Sequence, residues 1–190
     1  MIGIIIGDLM SSTNGQLNKE SKFTSATTNA VAVMEWLTNS DYPDLKKGIE
    51  RWSKKYNTSK EVNYTMFTPI ASYSQNLPQA IQYTNQAPEL NIDKALALAL
   101  IDALTTAKLK GDPKELHPNF LKIYGQNEIT KVLKEFAESK GFWEAVTRAL
   151  KLEGAEATNA SLAGALAGIY YGLSKSIRDK ALAQLRFIQM

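Results

Sequence analysis

The segment LEGAEATNASLAGALAGIYYG, from Leu152 to Gly172, decides the fold. It opens with a small acidic turn and continues into a run of alanine, glycine and leucine that carries no charge, which is typical of a helix buried on all sides. The small residues of GALAG, Gly164 to Gly168, allow neighbouring helices to cross it closely. We therefore predict a central buried helix from Thr158 to Gly172.

Outward from this segment, most of the chain shows the spacing of apolar residues that favours amphipathic helices. In the helix predicted to end at Gly111, alanine and leucine dominate and Asn91 is the predicted cap. Asp41 is the predicted start of the DYPDLKKGIERWSKKY helix. The predicted helices are TTNAVAVMEWLTN (27–39), DYPDLKKGIERWSKKY (41–56), NIDKALALALIDALTTAKLKG (91–111), NEITKVLKEFAESKG (127–141) and GFWEAVTRALKLEG (141–154).

Two stretches do not fit the helical pattern. GIIIG, residues 3–7, has the β-branched composition of a short strand, and VNYTMFTPIASY, residues 62–73, alternates weakly and contains Pro69. Neither has an obvious partner strand, and no regular alternation of strand and helix suggests a parallel sheet. We predict an all-α, compact helical bundle, with residues 1–190 as a single domain.

Composition excludes several classes of function. The chain has 190 residues, a net charge of +3, no cysteine and one histidine, His117, which precedes a proline in a predicted surface loop. Disulfides, thiolate metal sites and thiol nucleophiles are therefore excluded. The basic residues are interleaved with acids, so a nucleic-acid partner is not favoured. No apolar run is long enough to cross a bilayer, and we expect a cytoplasmic protein.

The acidic turn before the central helix has two interpretations. A helix N-terminus carries unpaired N–H groups and a partial positive charge, so it suits both capping side chains and groups that orient a ligand. Glu156, Thr158 and Asn159 lie at this end. Taken alone, they favour capping.

The same segment resembles the C-terminal signature of the ADP-ribosylglycohydrolase family, the group that contains the dinitrogenase-reductase-activating glycohydrolases. That signature reads Leu-Gly-Gly-Asp-Thr-Asp-Thr and is followed by a small-residue helix ending in Tyr-Tyr-Gly. MIGIIIGDLMSS is similar to the family's opening Gly-Asp segment, and FTSATTNAVAVMEWL to its Thr-Asp-Asp-Thr motif. MFTPIA and YTNQAPEL are similar to family stretches between them. The resemblance implies an all-α fold in which GIIIG is helical.

Departures from the family pattern bear on function. The resemblance implies two magnesium ions held by aspartates of the two motifs, but the aligned residues here are Ser25, Ala26, Ala155 and Ala157. Alanine offers magnesium no ligand, and Ser25 and Thr27 offer only neutral hydroxyls. An acid of the family aligns with Gly15, its histidines with Asn85 and Ala87, and an arginine with Met66. We expect no metal, no cofactor and no catalytic residue.

The predicted remnant of the cleft keeps one signature acid, Asp8, which either accepts backbone N–H bonds or belongs to a relocated site with Glu156 or Glu35. Three classes of function stay open. The first is a non-catalytic protein that acts by contact with a protein partner and that a phage or other mobile element could encode. The second is a metal-free protein that binds ADP-ribose or another nucleotide. The third is a hydrolase with a rebuilt site. We favour the first. The predicted remnant of the cleft comprises Asp8, Ser25, Ala26, Thr27, Thr28, Ala155, Glu156, Ala157, Thr158 and Asn159.

Overall fold

A computed structural model describes residues 1–18, 20–39, 44–88, 91–109 and 111–188, with side chains described as far as residue 183. These residues form an all-α bundle, as predicted, and they contain no strand. Short 3-10 helices at Tyr64–Met66 and Pro113–Glu115 precede two of the α-helices. The α-helices are α1 (Ile2–Ser11), α2 (Ser25–Thr38), α3 (Leu45–Tyr56), α4 (Phe67–Tyr73), α5 (Leu77–Gln86), α6 (Lys94–Lys108), α7 (Leu116–Tyr124), α8 (Glu128–Ala137), α9 (Phe142–Ala149), α10 (Glu156–Tyr170) and α11 (Lys175–Ile188).

Helix α10 is the centre of the bundle, which confirms the prediction for this segment. Its residues from Thr158 to Ala167 are all buried, and it packs against α1, α6, α8 and α9. Since every side of the helix meets another element, it has no polar face. None of the described helices is both long and apolar enough to cross a membrane.

The contact between α1 and α10 depends on glycine. A Cβ atom added to Gly3 would lie 2.1 Å from the Gly164 carbonyl oxygen, and one added to Gly7 would lie 2.2 Å from that of Ala160. The two backbones therefore touch directly, as the small residues of GALAG predict. The strand that the composition of GIIIG indicates is wrong, because its isoleucines are buried in a helix whose glycines face α10.

Helix starts differ in part from the predicted ones. Asp44 caps α3 by accepting a hydrogen bond from the Lys47 N–H, while the predicted start at Asp41 lies outside the described residues. Helix α6 is capped by Asp93 rather than by Asn91, and it begins at Lys94.

The two proline-containing stretches are helical. Pro69 lies in the first turn of α4, and Pro118 lies in the first turn of α7. A proline is tolerated there because the N–H groups of a first turn have no intrahelical acceptor. The loop predicted around His117 is therefore wrong, and this histidine is a half-buried residue of α7.

Candidate functional site

Asp8 joins α1 to the start of α2. Its Oδ2 accepts hydrogen bonds from the N–H groups of Thr24 (2.9 Å) and Thr27 (3.1 Å), and its Oδ1 accepts one from the Thr24 hydroxyl (2.6 Å). Burial raises the pKa of the Asp8 carboxyl, and the hydrogen bonds from Thr24 and Thr27 oppose that shift. The carboxylate is thus engaged as a cap of α2, and it does not line the cleft described below.

The first turn of α2 places one signature position in a cleft and buries the next. Ser25 lines the cleft, and its Oγ accepts a hydrogen bond from the Asn63 side-chain amide at 3.2 Å. Ala26 is fully buried, and its carbonyl accepts a hydrogen bond from the Thr65 hydroxyl at 2.7 Å. Position 25 is therefore open to a ligand, whereas position 26 lies in the interior.

Thr27 and Thr28 lie beneath the cleft and do not line it. Both are buried, and the Thr28 hydroxyl is 3.1 Å from that of Thr58. These two threonines anchor α2 to the bundle.

The second signature segment forms the start of α10. Ala155 is the residue before the helix, and it provides no side-chain cap. Ala155, Glu156, Ala157 and Thr158 all line the cleft, whereas Asn159 is buried. The capping role that the sequence favours for this end of α10 is therefore wrong, because no side chain caps the helix and the Glu156 N–H donates to the Gly154 carbonyl instead.

The two segments, about 130 positions apart, meet at one cleft of about 360 Å³. Helices α2, α6, α8 and α10 all direct their N-terminal ends to it, since the lining includes residues from the start of each. The sequence did not point to the other lining residues because they belong to no shared motif. The one feature of the sequence that could have identified any of them is the position of Asp93 and Glu128 at the starts of helices. The lining residues absent from the predicted set are Thr24, Glu61, Val62, Asn63, Tyr64, Asn91, Ile92, Asp93 and Glu128.

The cleft is strongly acidic. Among the described residues, its lining contains four carboxylates, from Glu61, Asp93, Glu128 and Glu156, and no lysine, arginine or histidine. Burial raises the pKa of Glu128, and the charge of Glu61 adds to that shift. The pKa of Tyr64 is raised by burial and by the charges of Asp93 and Glu128. The partial positive charges at the N-terminal ends of these helices are thus already compensated by carboxylates of the chain itself.

The residues at the signature positions do not fit the two magnesium ions that the resemblance implies. Magnesium binds hard oxygen ligands in near-octahedral geometry. Ser25 is the only one of the four positions with a side-chain oxygen, and that oxygen accepts the Asn63 hydrogen bond. Asp93 Oδ1 accepts N–H bonds from Ala95 and Leu96. Among the described residues, no three acids or histidines come together in a way that would hold a metal ion.

Two further predicted positions lie elsewhere. Glu35 forms an ion pair with Arg51 and accepts a hydrogen bond from the Trp52 indole at 2.7 Å, and it does not line the cleft. Ala87 lines a second cavity of about 510 Å³, which shares Asn91 and Ile92 with the cleft. The neighbouring cavity therefore continues the acidic cleft past the start of α6.

Comparison with known proteins identifies the family of the chain. The model of the ADP-ribosylglycohydrolase family matches residues 25–189 of the chain. No curated protein sequence matches it. The matched range contains the four aligned positions Ser25, Ala26, Ala155 and Ala157, and Asp8 lies before it.

Proposed function

The chain belongs to the ADP-ribosylglycohydrolase family, and from this premise we propose that it is a catalytically inactive member that acts by contact with a protein partner. An inhibitor, a decoy, a scaffold and a structural subunit all fit this role. The observation that carries the proposal is the chemistry of the cleft, where the signature positions are serine and alanine.

Loss of the signature acids removes the known way for this family to hold its metals. Ser25, Ala155 and Ala157 face the cleft, and together they offer a single neutral hydroxyl. Metal-assisted hydrolysis needs ions that polarise the substrate or activate water. Without ligands for these ions, the protein keeps the family fold but lacks the means for metal-assisted hydrolysis.

The charge of the cleft argues against a metal-free site for ADP-ribose. Its diphosphate is an anion, and the part of the lining that the structure describes has four carboxylates and no basic side chain to receive it. Without a bridging cation, like charges at such short range are repulsive. A contact role is therefore favoured over nucleotide binding.

A hydrolase with a rebuilt site is the second candidate, and one observation favours it. Glu61 and Glu128 are close enough for the charge of the first to raise the pKa of the second. Glycoside hydrolysis commonly uses two carboxyl groups, one as acid and one as base or nucleophile. Asp8 has no place in this alternative, since its oxygens are occupied by α2.

A turnover assay separates these functions. Peptides ADP-ribosylated on arginine or serine are incubated with the protein and Mg²⁺ or Mn²⁺, and released ADP-ribose is measured. We expect no release above that of the matched Glu61→Gln/Glu128→Gln variant. Release by the wild type that this variant lacks would overturn the proposal in favour of the rebuilt site.

Calorimetric titration with ADP-ribose, with and without Mg²⁺, completes the test. We expect no binding heat in either condition. Binding without the metal would contradict the proposal and support a nucleotide-binding protein.

A further inference from the structure

A groove distinct from the acidic cleft lies between α7, α8 and the turn that joins α9 to α10. Its volume is about 440 Å³, and it shares no lining residue with the cleft. Leu121 of α7 and Leu152 of the turn supply apolar surface, and Leu121 is 37% exposed. A concave apolar surface left open to water is a common feature of binding sites.

Lysines surround this apolar surface. Lys131 and Lys134 lie one helical turn apart on α8, and Lys151 lies in the turn before α10. All three are exposed, and none of them forms an ion pair with a carboxylate of the described residues.

The acids of the groove do not neutralise these lysines. Glu135 lies 2.9 Å from Arg148 Nε, but Arg148 also pairs with Glu138, so the charge of Glu135 is only partly compensated from outside the groove. Glu153 is the other acid of the described lining. The described lining of the groove therefore combines two leucines with three lysines and two acids, a small positive excess, whereas the described lining of the cleft is acidic.

We propose that this groove binds an amphipathic, acidic segment of the protein partner; the proposal rests on the contact function proposed above. Apolar side chains of the segment pack on Leu121 and Leu152, and its carboxylates pair with the lysines. Because Lys131 and Lys134 lie on α8 and Lys151 lies on a separate turn, we expect the segment to carry more than one acid beside its apolar residues. A helix with apolar residues at i, i+3 and i+4 and acids beside them has this arrangement.

Selection from a peptide library tests the proposal. Random 16-residue peptides displayed on phage are panned on the whole protein, and enriched peptides are synthesised with a fluorescent label for anisotropy titration. We expect enrichment of glutamate and aspartate around apolar residues at helical spacing. We also expect the dissociation constant to rise at least tenfold in the Lys131→Glu/Lys134→Glu variant, and separately in Lys151→Glu, which lies outside any helix.

The matched control is Lys46→Glu/Lys54→Glu, which makes the same charge change on the exposed side of α3 and should bind like the wild type. Circular dichroism checks that each variant is folded. Failure to enrich acidic peptides would overturn the proposal, as would equal weakening by the control. So would binding of decanoate, as a small apolar anion, without any peptide. The panning uses neither ADP-ribose nor a metal, so its failure is separate from any turnover that contradicts the proposed function.

Discussion

At the scale of single residues, a hydrogen bond between two neutral side chains lies at a position where the family resemblance implies a metal ligand. The Ser25 Oγ accepts this hydrogen bond from the Asn63 side-chain amide, so it has a partner inside the protein. Asp8 accepts hydrogen bonds from the N–H groups of Thr24 and Thr27. These bonds give the Asp8 carboxylate a structural role at the start of α2.

Replacing Asp8 with alanine tests this capping role. The Asp8→Ala change leaves the buried N–H groups of Thr24 and Thr27 without acceptors, and we expect the free energy of unfolding to fall by about 2 to 4 kcal/mol. Urea denaturation followed by circular dichroism measures the loss. The control is Asp44→Ala, which removes the exposed cap of α3 and should lower the free energy of unfolding by less. Equal losses would show that burial adds nothing to the Asp8 interaction.

The pH dependence of stability tests the acidic cleft. The pKa of Glu128 is raised above its ordinary value of 4.5 by burial and by Glu61. A carboxyl whose pKa is raised by folding stabilises the protein below its unfolded pKa, and this contribution is lost as the pH rises through the folded pKa. We therefore expect Glu128→Gln to have a higher urea midpoint than the wild type at pH 7, and the difference to vanish below pH 4.5.

A double variant provides the control for this pH effect. If the charge of Glu61 contributes, Glu61→Gln should raise the midpoint at pH 7 less in the Glu128→Gln background than in the wild type. A midpoint difference that stays constant from pH 4 to pH 8 would contradict the interpretation.

At the scale of elements, α1 shows where reasoning from composition fails, whereas the helix that the family resemblance implies for GIIIG is confirmed. The composition of GIIIG favours a strand, yet these residues form a helix because Gly3 and Gly7 meet the backbone of α10. That contact lies more than 150 positions away in the sequence, so no local pattern reports it. The buried character of α10 was predictable because its own uncharged run implies burial on every side. The loop expected at His117 was wrong because a proline also suits the first turn of a helix.

Substitution of Gly7 tests the crossing of α1 and α10. An alanine there would place its Cβ 2.2 Å from the Ala160 carbonyl oxygen, so the helices must separate. We expect Gly7→Ala to lower the free energy of unfolding by about 3 kcal/mol or more. Gly48→Ala is the matched control, because its Cβ would meet the Cβ of Ala32 at an ordinary 3.8 Å.

The control variant Gly48→Ala should raise the free energy of unfolding. Gly48 lies within α3, where alanine is favoured over glycine by up to about 1 kcal/mol. Thermal and urea unfolding measure both variants. A Gly7→Ala protein as stable as the wild type would mean that the helices are not in backbone contact.

At the scale of the whole molecule, the bundle brings four helix starts to one cleft. The sequence predicted that the two signature segments belong to this region, because the resemblance places both in one site. It did not predict Glu61, Asp93 or Glu128, since each lies in a different segment and is joined to the others only by folding. The acidity of the cleft therefore arises only when the chain folds, whereas the serine and alanines at the positions aligned with the family's aspartates can be read from the sequence.

Restoring aspartates tests whether the fold still holds the shape of a metal site. The Ser25→Asp/Ala155→Asp/Ala157→Asp variant returns carboxylates to the three signature positions that line the cleft, while the fully buried Ala26 is left unchanged. We expect Mn²⁺ or Mg²⁺ to raise the melting temperature of this variant but not that of the wild type, because an ion that binds only the folded state stabilises it. The matched variant with asparagine at the same positions keeps the size and removes the charge, so its melting temperature should not respond. If the aspartate variant folds and also gives no response, the two segments do not have the geometry of a metal site, and loss of ligands alone would no longer explain the inactivity that we propose.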